Sequence, residues 1–372
     1  MSVKCRDIIA GLEQLAPGYL VEDWDNVGLL VGSPEQTIHK VSVALDVDMA
    51  VISEAIAAGA DMIVAHHPLI FKKISQLRTD LPLGSMLSAL IKHGIAVYTA
   101  HTNLDSAPGG VNDVLARKLN LLAIAPLTTV YQEPLHKLAV FVPASHVEQV
   151  RMAMTEAGAG HIGNYSHCTF QTQGIGTFLP LAGTAPFIGE QGKLEFVEEY
   201  RLETIVAKSR RSEVIAAMLA AHPYEEVAYD EYVLKNSGLR HGLGRVGRLT
   251  EPMPLAEFIQ KVKTALAVEA IKVAGPADAV INTVAVCGGS GASLIEAASK
   301  AGADVLVTGD VKYHDAQQAI AEGMVIIDAG HFATEQPVVE SVVRYLTLCA
   351  GKKNWNVQIM ASNVQQDVFR SY

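Results

Sequence analysis

No two cysteines stand close together in this sequence. The four present, Cys5, Cys168, Cys287 and Cys349, are scattered over 372 residues, with no C-x-x-C pair among them. That spacing argues against a disulfide scaffold and against a thiolate zinc site, and it fits a reducing cytoplasm. Long apolar runs are also missing. No uncharged apolar stretch reaches the roughly 18 residues that a membrane-spanning helix needs. The opening segment, Met1–Leu20, has neither the apolar run nor the small-residue cleavage site of a signal peptide. Positive charge is in short supply, with 29 Lys and Arg against 39 Asp and Glu and a net charge of −10. Non-specific nucleic-acid binding, which depends on clustered cations, is therefore disfavoured, although a local basic pocket for a small anion is not.

What is present is a globular balance, 49% hydrophobic and 18% charged, which leaves no excess suggesting disorder. The length favours two or three domains with full cores. Short apolar runs alternate with helical patterns at both ends of the chain. Val41–Leu45, Met62–Ala65 and Ile95–Thr99 read as strands, with Met49–Ala58 and an amphipathic stretch up to His93 as the helices between them. Near the other end, Val284–Cys287, Val305–Thr308 and Val325–Asp328 read as strands, with Ser293–Lys300 and His314–Glu322 as helices. Strand, helix and strand in short succession predict parallel pairing with right-handed crossovers.

The two ends also match each other, Ala58–Val64 aligning with Ala301–Val307 across a helix end, a glycine and a buried strand. This predicts an α/β protein of two related halves, residues 1–126 and 242–372, that form one core with parallel-rich sheets. The middle, 127–241, differs. Leu138–Val142 and Glu203–Ala207 read as strands, each followed by a helix (Ser145–Ala157 and Ser212–Ala221), and glycine- and aromatic-rich 160–192 suggests hairpins and turns. The expectation is an inserted α+β domain.

Three polar clusters each follow a predicted strand: His66-His67 after Met62–Val64, His101 to Asp105 after Ile95–Thr99, and His331 with Glu335 after Val325–Ile327. In open parallel sheets, side chains from separate loops converge beyond the carboxyl ends of the strands. Imidazole with carboxylate and no thiolate suits zinc, iron or manganese rather than calcium. His331 and Glu335, four apart, face one way if a helix begins there. Adjacent His66 and His67 point apart, which favours one histidine on each of two metals. Five ligands, His66, His67, Asp105, His331 and Glu335, exceed the three of a mononuclear catalytic zinc and leave room for a bridging water.

Other residues keep two readings. His101 serves as a proton shuttle or as a backbone-anchored structural histidine. Asp310 and His314 orient a metal ligand or bind substrate, unless Asp310 merely caps a helix. Asp105 alone could cap the helix beyond Gly109. The run Cys287-Gly288-Gly289-Ser290-Gly291 is a cradle for a phosphate or a plain tight turn. Trp24 to Gly28 forms a turn under the site, with Asp25 or Asn26 within reach of substrate.

Six segments carry a resemblance: Trp24 to Leu29, His66 to Phe71, His101 to Asp105, Cys287 to Gly291, Thr308 to His314 and Asp328 to Glu335, in that order. With them the chain resembles the NIF-three-like family, whose members carry the label GTP cyclohydrolase I type 2 homologue. Gly160 to Tyr165 and His222 to Glu226 make the middle similar to the PII/CutA-like, ferredoxin-like insert of its longer bacterial members. The resemblance implies a dinuclear metal centre on the same five ligands and a toroidal homohexamer with sites facing an internal cavity. The function expected is that of a metal-dependent hydrolase acting on a small anionic, nucleotide-like substrate, with two divalent ions per subunit, zinc ahead of iron or manganese. A non-enzymatic metal-binding scaffold or regulator, its insert sensing an effector or partner, is the competing expectation.

Overall fold

Continuous apolar runs such as Met62–Ala65 and Val305–Gly309 are buried at every position, as parallel strands covered on both faces must be. The computed structural model describes residues 2–370. They divide into two compact units, Gln132–Arg240 and the remainder of the chain. The architecture is mixed α/β with several sheets.

The larger unit contains a five-stranded sheet in the order Gln358–Ala361, Lys40–Ala44, Met62–Ala65, Ala96–Thr99, Gly28–Val31. Its first three pairings are parallel and the last is antiparallel. A six-stranded sheet runs Lys272–Ala274, Val325–Asp328, Val305–Gly309, Val280–Ser290, Arg245–Pro254, Leu122–Pro126. Its two central pairings are parallel and the outer ones antiparallel. The sequence predicts the parallel centre of each sheet. The edge strands carry too little apolar pattern to be read in advance.

The internal match is repeated at the level of single hydrogen bonds. Asp61 Oδ2 accepts from the amides of His39 and Lys40 at 2.6 and 3.0 Å, and Asp304 Oδ2 accepts from those of Asn282 and Thr283 at 2.8 and 2.7 Å. The carbonyl of Asp61 accepts from Ala96 N, and that of Asp304 from Val325 N, each at 2.9 Å. In both halves an aspartate thus ties the start of one strand to the start of the next. The strands end together as a result, and whatever follows them gathers on one rim.

Arg245 braces the loop that follows Asp105. Its buried guanidinium pairs with Asp113 and donates to the carbonyls of Gly242 (2.7 Å), Gly244 (2.8 Å) and Ala107 (3.0 Å). A buried charge is tolerated only with this degree of hydrogen bonding.

The smaller unit has the element order strand, helix, strand, strand, helix, strand. Its sheet runs Tyr229–His241, Tyr131–Pro143, Glu195–Ala207, Thr169–Phe178. Helices Val147–Glu156 and Arg211–Ala221 bury Val150, Met154, Val214 and Met218 against it. The glycine-rich stretch expected as hairpins and turns contributes a ten-residue strand, Thr169–Phe178, paired antiparallel with Glu195–Ala207.

Candidate metal centre

Each histidine of the larger unit's rim is held by one ring nitrogen. His66 Nδ1 lies 2.9 Å from the carbonyl oxygen of Ala100, and His67 Nδ1 lies 2.8 Å from Asp46 Oδ1. His101 Nδ1 is 2.8 Å from Asp25 Oδ1, and His331 Nδ1 is 2.7 Å from Asp310 Oδ2. All four partners are acceptors, so Nδ1 carries the proton and donates, leaving Nε2 with its lone pair. That is the arrangement by which proteins orient imidazoles toward a metal.

The Nε2 atoms converge on two carboxylates. His67 Nε2 and His331 Nε2 lie 3.0 and 3.1 Å from Glu335 Oε2 and 3.4 Å from each other. His66 Nε2 lies 3.6 Å from Asp105 Oδ1 and 3.8 Å from Glu335 Oε1. Buried His66 Nε2 and Asp105 Oδ1 have no hydrogen-bond partner. With the rings neutral, buried lone pairs would face lone pairs with no donor between them, and they repel unless a proton or a metal ion stands among them. The donor set therefore fits metal ions. His67, His331 and Glu335 form one group close enough to share an ion, His66, Asp105 and Glu335 a second, and His66, His67 and His101 a third. Glu335 belongs to the first two.

The pKa shifts express the same excess of negative potential. Burial works against charge on the His67 ring, but the hydrogen bonds and charges of Asp46 and Glu335 outweigh it and push the ring up to about 10. The Glu335 hydrogen bond, against burial and with help from Asp310, takes His331 up to about 9. Burial lifts the Asp105 carboxyl despite the opposing charge of His66. In the metal-free chain at neutral pH, protons thus occupy nitrogens that a metal needs bare. Metal added to metal-free protein near pH 7.5 in weak buffer is expected to release about two protons per chain, and affinity should rise as pH climbs toward 9. A pH-stat titration checks this.

The glycine run at the end of strand Val280–Ser290 serves the carboxylate. A Cβ on Gly289 (φ +61) would lie 2.2 Å from Glu335 Oε1, so only glycine lets Glu335 approach. Buried Cys287 has its thiol pushed far up by burial and by Asp105 and Glu335, which removes it as a nucleophile.

The five residues expected as ligands come together in this cluster, and Asp105 lies in the short helix Thr102–Ser106 rather than capping the next one, whose N-cap is Gly110. His101 stands beside them, its ring centroid 5.2 Å from that of His66. Asp310 binds His331, while the helix that follows is capped at Lys312 with Asp315. His314 is not brought to the cluster. It is exposed, 3.0 Å from Gln317 Oε1 and stacked edge-on to Tyr313. Three contributors went unread in the sequence or were read only loosely. Asp46 follows the strand Lys40–Ala44, the same strand-end signal that marked the others. Asp25 has a fully buried side chain that accepts from Thr102 Oγ1 at 2.6 Å as well as from His101. Gln365 accepts from Leu45 N at 2.6 Å and donates to the Asp46 carbonyl at 3.1 Å, a tie from the far end of the chain that no pattern announces.

Asp46→Ala and Asp310→Ala each free one imidazole to rotate. Each is expected to weaken metal binding by about 10- to 100-fold, with the fold unchanged, as competition with a chromogenic chelator would show.

Fold and cluster together define a mixed α/β protein whose strand ends gather imidazoles and carboxylates able to hold metal ions. Among the described residues, no helix is long and apolar enough to cross a membrane. The chain belongs to the Duf34/NIF3 (NGG1p interacting factor 3) family, whose model matches residues 3–368. It is 47% identical over 362 residues to the GTP cyclohydrolase 1 type 2 homolog of Halalkalibacterium halodurans, with 97% of each chain covered. It is also 47% identical over 368 residues to the Bacillus subtilis protein of the same name, covering 99% of this chain and 98% of the relative. Among solved structures, a Bacillus cereus protein related to NIF3 matches with a TM-score of 0.94 at 44% identity over 100% of both chains. A Staphylococcus aureus protein matches at 0.75 and 30% identity over 100% of this chain and 99% of the other.

Proposed function

We propose that this cluster binds two divalent metal ions and that the chain is a metal-dependent hydrolase of a small anionic, nucleotide-like substrate. The observation that carries the reading is the Asp25–His101 pair beside the cluster, a carboxylate-held imidazole outside the two ligand groups that share Glu335. His67, His331 and Glu335 would hold one ion and His66, Asp105 and Glu335 the other, with zinc, iron or manganese all suited to the donors. Ions bound there would supply an acidified water and an anchor for a substrate oxygen.

The chain's own residues do the rest. His101 gives its Nδ1 proton to the hydrogen bond with Asp25, so its other nitrogen accepts a proton, and the buried Asp25 carboxylate stabilises the imidazolium that results. Trp24 and Phe71 are exposed and 5.9 Å apart, and Trp24 stands edge-on to His101 at 6.0 Å. They offer a planar group of the substrate a stacking surface. Beside His331 opens a cleft of about 530 Å³ lined by Lys272, Asp310, Asp328 and Asp367 among others. With four carboxylates (Glu269 is the fourth) and one lysine there, attraction of an anion falls mainly to the bound ions.

The smaller unit reads as a ferredoxin-like module of the PII/CutA kind, on the strength of its strand order, and we propose a toroidal homohexamer in the cytoplasm as the chain's assembly and place. Light scattering coupled to size exclusion tests the assembly.

The activity test is turnover by zinc-, manganese- or iron-loaded protein on nucleoside triphosphates, GTP included, and on simple phosphoesters. Turnover that His101→Gln abolishes at unchanged metal content supports the hydrolase. Full metal occupancy without turnover on any of them replaces it with a scaffold or regulator. Trp24→Ala is expected to raise KM for a purine nucleotide by roughly tenfold while kcat changes little, the loss of one stacking contact.

A further inference from the structure

The smaller unit contains a cavity that the metal centre does not use. It has a volume of about 410 Å³, within the range of small-molecule sites, and its lining includes Phe141, Gly176, Phe178, Phe187, Glu199 and Tyr224. Three of its rings cluster: Tyr224 lies 6.1 Å from Phe178 and 6.3 Å from Phe187 by centroid. Phe187 is held in place through its loop, since Ala185 N donates to both carboxylate oxygens of Glu225, at 3.0 and 3.3 Å.

Among these rings sits a carboxylate without a counter-charge. Glu199 is only 8% exposed, and its Oε1 accepts from the Tyr224 hydroxyl at 2.9 Å. The ion pairs of this unit use Glu148, Glu195, Glu203, Glu213 and Glu231. None involves Glu199 among the described residues. The adjacent His222 does not supply the charge. Its Nδ1 accepts from Tyr224 N at 3.1 Å and its Nε2 donates to the Phe141 carbonyl at 2.9 Å, which is the bonding pattern of a neutral ring. The neighbouring strand makes room for the carboxylate: a Cβ on Gly176 would lie 2.1 Å from Glu199 Oε2, and glycine in mid-strand costs stability unless something must come close. A buried carboxylate costs free energy unless it is paired or hydrogen-bonded by donors of matching charge.

We propose that this cavity binds a small organic cation of the methylated-ammonium class, its charge against Glu199 and its methyl groups against Phe178, Phe187 and Tyr224. Aromatic faces attract such cations electrostatically, and a carboxylate at the base of the cage selects charge over shape.

The test is calorimetric titration of the full-length protein with choline, with tetramethylammonium, and with the neutral tert-butyl isostere of choline. Saturable binding of the cations and none of the isostere is the expected result. Glu199→Gln keeps the size and the acceptor for Tyr224 and should weaken choline binding by about tenfold or more. Phe187→Ala alters an exposed ring that the fold does not need and should weaken it also, which keeps the test valid if the Glu199 variant misfolds. No saturable binding to the wild type, equal binding of the isostere, or choline binding unchanged in both folded variants would overturn the assignment.

Discussion

Glu335→Ala is expected to lower bound metal from about two ions per chain to well under about one, a larger loss than any other single ligand substitution produces. The reason is its position in two ligand groups at once. One oxygen faces His67 and His331 at 3.0 and 3.1 Å, while the other faces His66 at 3.8 Å. Burial alone would raise this carboxyl, yet the facing rings of His331, His66 and His67 hold it well below the usual carboxylate range, so the charge is present throughout the physiological pH span. Removing His331 would leave the His66, Asp105 and Glu335 group whole. Elemental analysis of dialysed protein separates the cases. Equal loss in Glu335→Ala and His331→Ala would contradict a shared carboxylate.

Gly289→Ala is expected to do comparable damage without touching a ligand. The added methyl carbon would stand 2.2 Å from Glu335 Oε1 and 3.1 Å from His331 Nε2, so the carboxylate must withdraw by about 1 Å to restore ordinary contact. Metal sites tolerate only a few tenths of an ångström in ligand distance. The matched control is Gly302→Ala, at φ +73 with nothing within 4 Å of the new carbon. It carries the same left-handed backbone strain, about 1–2 kcal/mol, and none of the collision. Metal lost from the first and retained by the second assigns the effect to the site. Loss from both would make it a folding effect.

Both residues were visible in the sequence, one as a metal-type donor and the other as part of a glycine run with two readings. The difference lies in what each depends on. A donor at the carboxyl end of a strand is placed by secondary structure, and Met62–Ala65 and Val325–Asp328 have the bounds that their apolar patterns predict. The use of Gly289 depends on a contact with Glu335, 46 residues away, and no local pattern encodes that. The same holds for Asp25 and Asp46, whose partners His101 and His67 lie 76 and 21 residues further on. The edge strands escaped for a related reason. Gly28–Val31, Leu122–Pro126 and Lys272–Ala274 are short and partly exposed, so their neighbours define them more than their composition does. In the smaller unit, glycines that read as turns sit within the strand Thr169–Phe178, where Gly176 leaves space for Glu199.

The most direct test of the central claim is metal content per chain, by elemental analysis, in the wild type and in a His66→Ala/His331→Ala double variant. That variant removes one donor from each group sharing Glu335. About two ions in the wild type and a trace in a folded double variant is the result predicted. A folded wild type that takes up no more than a trace when zinc, manganese and iron are offered would contradict it.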